Sequence, residues 1–153
     1  MEQQLTLIET YLSKRDQLNT NVSAVPVAWH LDHSLKVING ICDTLNASDP
    51  KTYQPNFSFL RLFCYTFNYI PRGKAKAPKS VRPPKIITTE AILTQLQTAK
   101  EKLEKVLEMD DHVHFKHPYF KELNKKQALR FMQLHTEHHL KIVRDILEKK
   151  PKS

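Results

Sequence analysis

The chain has 153 residues, 40% of them hydrophobic and 26% charged, with only two glycines. That is enough for one domain with its own core, and the composition is mainly helical. No apolar run approaches the ~20 residues that cross a bilayer, and the acidic, polar opening MEQQLTLIE resembles neither a signal nor a transit peptide, so the expectation is a cytoplasmic protein with no membrane partner. The formal net charge is +8, but Arg72, Lys74, Lys76, Lys79, Arg82 and Lys85 supply +6 of it within residues 72–85, a segment with no acid. The basic character therefore belongs to one loop rather than to a whole face, which argues against a nucleic-acid-binding protein.

In chain order, Leu5, Ile8, Tyr11 and Leu12 have helical spacing and predict an amphipathic helix over 2–19. NTNVS breaks it, and Ser23 is placed to cap a second helix running to about Asn46, with Pro26 near its first turn. Ala28, Leu31, Leu35, Ile38, Cys42 and Leu45 line one side of that helix, widened by Val37 and Ile41. Cys42 and Cys64 each sit in an apolar run and read as buried free thiols. Residues 56–70, NFSFLRLFCYTFNYI, suit a helix or a strand; with no second strand to pair with, a short extra helix is favoured. Pro71, Pro78, Pro83 and Pro84 make 71–87 a long extended crossover. Thr88 or Thr89 then opens a third long helix to about Met109, with a stripe of Ile92, Leu96, Ala99, Leu103 and Val106. DDHVHFKHPYF reads as an irregular connection, and a last helix runs from about Asn124 to Lys149. Four long helices and one elaborated crossover predict an all-α, four-helix-bundle domain over 1–153.

The last helix contains LHTEHHLKIV, with three histidines in five positions. At 100° per residue from Ala128, Met132, Ile142, Val143 and Ile146 fall within about 60° of zero and define the buried face. His135 and His139 fall within about 20° of its centre, whereas His138 lies on its edge and Glu137 faces away. Two inward histidines at i and i+4 are neighbours that one metal ion would satisfy together. On the second helix, the same projection sets His30 inside the apolar arc and His33 just outside it, so His30 is the better third ligand. His112, His114 and His117 belong to the irregular connection.

HLDHS at 30–34, HPYF at 117–120 and HTEHHL at 135–140 occur in an order similar to that of the DinB-like superfamily, in one of its uncharacterised branches. The pattern there resembles HLxxS, HPxF and HxxHHL. The resemblance spans residues 30–140 and implies a four-helix bundle holding a divalent metal through His30, His135 and His139. Two positions depart from it. Lys121 stands where the family often has Gly after HPxF, and Lys141 and Ile142 stand where HHL often continues with Arg and Gln.

Imidazole ligands suit Zn, Ni or Fe, and three of them leave a coordination position open, as in catalytic sites. Some DinB-like relatives are metal-dependent transferases that use low-molecular-weight thiols. The first reading is therefore a metal-dependent transferase or hydrolase acting on a small molecule. Lys74, Lys76, Lys79 and Arg82 would form an anion-binding loop, with His33, His138 and His117 as further ligands or supports. The second reading is a non-enzymatic metal-binding or interaction module, and the third a nucleic-acid-binding protein acting through 72–85. A homodimer is also expected, because the first helix has apolar residues to spare.

Overall fold

The structure, a computed structural model, describes residues 1–73 and 77–148. It is mostly helical, with five α-helices and one small two-stranded sheet. Helix α1, Glu2–Thr10, buries Gln4, Leu5 and Ile8 and ends earlier than its apolar spacing predicts; a 3-10 turn, Tyr11–Lys14, follows it. Beyond Leu12 the sequence SKRDQ has no apolar residue to extend the stripe, and helices this short are held by packing rather than by propensity. The chain leaves the helix to make other bonds instead. The Arg15 guanidinium donates to the Thr89 hydroxyl, and the carbonyls of Arg15 and Gln17 accept the N–H groups of Ala28 and Val27.

Those two carbonyls satisfy the free N–H groups at the start of α2, Val27–Ala47. Ser23 is thus not the helix cap that the sequence suggests; Pro26 occupies that position. Helix α2 is buried on almost every side through its first twelve residues, Asp32 and Ser34 included. Asp32 accepts from Lys36 and from the Gln95 amide, which compensates its burial. Helix α3, Phe59–Phe67, confirms the helical choice for the aromatic segment; Ser58 caps its start by accepting the Arg61 N–H, and left-handed Asn68 ends it. Helix α4, Thr89–Glu108, buries the five predicted stripe residues, and its cap is Thr88.

The connection to the last helix is not irregular. Strands β1, His114–His117, and β2, Lys121–Asn124, form an antiparallel hairpin with Phe115 opposite Leu123. Four-residue strands are too short to show alternation in a sequence. His117 closes the turn, its Nδ1 accepting the N–H groups of Tyr119 and Phe120, and Lys121 takes a left-handed φ of 63°. Helix α5, Lys125–Glu148, completes the described chain. Helix α2 packs mainly on α4 and α5, α1 packs on α5 and α4, and the hairpin lies against α2 and α5. Buried Arg61 ties α3 to the hairpin, donating to the carbonyls of Phe120 and Glu122.

Candidate metal centre

Helices α2 and α5 face each other through their histidines. One nitrogen from each of His33, His135 and His139 lies within 4.8 Å of the others. The ring centroids are 5.1 Å apart for His33–His135, 4.8 Å for His33–His139 and 4.6 Å for His135–His139. His33 and His139 are buried and His135 is partly buried. The α2 member of this converging set is His33, not the His30 favoured by the helical projection. His30 stands beside the set, its Nδ1 3.0 Å from Nδ1 of His139.

The surrounding bonds fix which nitrogens are free. Nδ1 of His33 lies 2.8 Å from the Val81 carbonyl, which can only accept, so His33 carries its proton on Nδ1 and keeps a lone pair on Nε2. The Ser23 hydroxyl donates to the Val25 carbonyl and so accepts from Nε2–H of His30, 2.9 Å away. His30 is left with a lone pair on Nδ1, which accepts from Nδ1–H of His139 and frees Nε2 of His139. Among the described residues, Nδ1 of His135 is buried without any hydrogen-bond partner. A buried ring nitrogen left unpaired is costly; with the ring proton on Nε2 it is a lone pair, which a metal ion shared with the two neighbours would satisfy. The donor set therefore fits a transition metal: three imidazoles, two supported through their far nitrogens in the way histidine ligands usually are.

Electrostatics keep these rings neutral, as metal ligation requires. Burial pushes His135 and His139 well below the ordinary imidazole range, and burial likewise lowers His33. Burial, then the neighbouring His33, lowers His30 to about 4. His138 is lowered to about 4 by burial and by Arg72; its ring stands 5.2 Å from that of His139, outside the converging set. His138 also lines a groove of about 400 Å³ with Asn68, Tyr69, Ile70, Arg72 and Lys141. His117 is separated from the cluster by Phe131, which contacts both His117 and His135. Its Nδ1 lone pair is already engaged by two backbone N–H groups.

Of the basic loop, Lys79 and Arg82 are exposed, and Arg82 donates to the Ala77 carbonyl. Lys74 and Lys76 lie outside the described residues. The loop crosses α2 where Val81 meets His33. That covering turns a helix-edge position into a buried one, and helical projection cannot register it, because the projection sees only the helix. Sequence reasoning also missed Ser23 as a partner of His30, and Trp29, whose ring stacks on His33 at 4.9 Å. The i, i+3 pair in HLDH was the available signal for His33.

The fold and the site define a mostly helical protein with three core histidines that could hold a metal ion. A family profile described as "Protein of unknown function (DUF1569)" matches residues 61–146, more than half of the chain, and the chain belongs to that family. The matched span contains His117, His135, His138 and His139; His30 and His33 precede it. Comparison with curated proteins and with solved structures returned no match.

Proposed function

We propose that this protein binds one divalent transition metal ion through His33, His135 and His139 and uses it as a transferase or hydrolase acting on a small molecule. The observation that carries the reading is the partnerless buried Nδ1 of His135, set beside two histidines whose hydrogen bonds leave Nε2 free. In this reading the four helices α1, α2, α4 and α5 form a bundle of the DinB-like kind, with the metal held between facing helices. A bound transition metal supplies Lewis acidity toward an oxygen or sulfur donor of the substrate. The chain's own residues would do the rest. His30 and Val81 orient ligand rings, and Trp29 and the 77–82 segment exclude water from His33. Arg72 and Lys141 offer positive charge to an anionic substrate in the groove beside His138. Glu137 lines the same groove but is held by Arg144, so the neutral imidazoles are the proton acceptors that this reading uses.

A second reading, a metal kept for structure, is favoured by the closure over His33. The two separate in one experiment. Untagged protein loaded with Zn, Ni or Fe is screened for thiol transfer and for ester or amide hydrolysis beside His33→Ala. The enzyme reading expects turnover in the parent alone; metal-dependent stability with no turnover in either would support the structural one.

A further inference from the structure

We propose that α3 is a self-association surface on which a second copy of this chain docks through the helix's outer face. The face is a dense apolar patch. Phe59 is 80% exposed, Phe67 64%, Phe57 55% and Leu62 53%, with Tyr69, Phe63 and Leu60 close behind. Isolated exposed apolar residues are ordinary, but a contiguous patch of this kind marks an interaction site. Two pairs of these rings are already packed against each other, Phe57 on Phe59 at 4.8 Å and Phe63 on Phe67 at 4.9 Å. Half-exposed side chains of this size and number offer on the order of 800 Å², which is what each partner contributes to a standard stable interface.

The pattern of charge selects the occupant. Between residues 57 and 71 the only charged residue is Arg61, which is buried with its guanidinium donating to backbone carbonyls. A patch without charge at its centre and a basic rim beyond it, beginning at Arg72, has the layout of a subunit interface. A helix that lies on a membrane instead carries Lys and Arg along its own polar face; α3 turns its other face to the protein through Arg61, Cys64 and Tyr65. Single-stranded nucleic acid stacks on aromatic rings beside a basic groove and has no use for Leu60 and Leu62. The basic segment follows the C-terminal end of α3. An antiparallel pairing about a two-fold axis therefore sets the two basic segments at opposite ends of the helix, roughly 14 Å apart along its axis.

Sedimentation equilibrium of the full chain, from about 1 to 200 μM, tests this beside Phe63→Asp and Phe59→Ser. The expected result is a dimer in the parent and at least a tenfold weaker association in both variants, with helical circular dichroism unchanged. Lys100→Ser, away from the patch, controls for generic surface change and should leave association intact. A parent that stays monomeric throughout overturns the proposal, as does a dimer that both variants preserve. If a monomeric parent instead sediments with anionic phospholipid vesicles, and Phe63→Asp does not, the occupant is a lipid surface and the self-association proposal falls.

Discussion

His30 and His33 are three residues apart on one helix and stand in different relations to the cluster. His33 converges with His135 and His139, while His30 holds His139 from behind through Nδ1. Loss of a group that orients a ligand typically costs 10–100-fold in metal affinity, whereas loss of a ligand removes the site. His30→Ala is therefore expected to weaken metal binding by about that factor while keeping the stoichiometry, and His33→Ala to abolish it. Trp29 is the only tryptophan and stacks on His33, so quenching of its fluorescence by Co or Ni follows the titration. Complete loss in His30→Ala would make His30 a ligand and contradict this division. The inward pair on α5 was legible because Met132, Val143 and Ile146 mark its buried face unambiguously. The division of labour on α2 was not, because it depends on Ser23 and Val81, two residues from outside the helix.

The hairpin is the element the sequence concealed, and its turn makes two claims. Lys121 has a φ of 63°, a conformation that costs a side chain with a Cβ about 1–2 kcal/mol and glycine almost nothing. After allowing for glycine's greater freedom in the unfolded chain, Lys121→Gly should stabilise by up to about 1 kcal/mol, read as a higher urea midpoint at unchanged slope. A lower midpoint would mean that the lysine stem makes a compensating contact. His117 accepts two N–H groups through Nδ1 and is lowered to about 4 by burial, while the unfolded chain takes up that proton near 6.5. Its contribution is thus fully present above about pH 6.5 and is lost as the pH falls toward and through about 4. Discounted for partial exposure, the loss is on the order of 2 kcal/mol. His117→Asn keeps an acceptor for the turn and removes the titration. Its urea stability should fall less than the parent's between pH 7 and pH 4; an equal fall would place the pH dependence elsewhere. The long helices were legible from periodicity, with α4 matching its stripe residue for residue. The extent of α1 was not, since the chain leaves that helix to cap α2.

Across the whole molecule, the core lies between α2, α4 and α5, and the histidine cluster borders it, with His33 and His139 buried and His135 partly buried. A mainly helical domain could be read from composition and spacing, because each long helix shows a coherent apolar side. The covering of His33 could not, because a proline-rich segment shows no period and it meets α2 through Val81, a residue outside that helix. The cluster is assembled from two helices far apart in sequence, and it could hold one ion. Elemental analysis of untagged protein, purified without chelator and set beside His139→Ala, tests this most directly. About one equivalent of Zn, Ni or Fe per chain in the parent, and none in the variant, is the result predicted from the geometry. A parent that holds no metal and takes none up would contradict it, leaving neutral histidines that only fill a core.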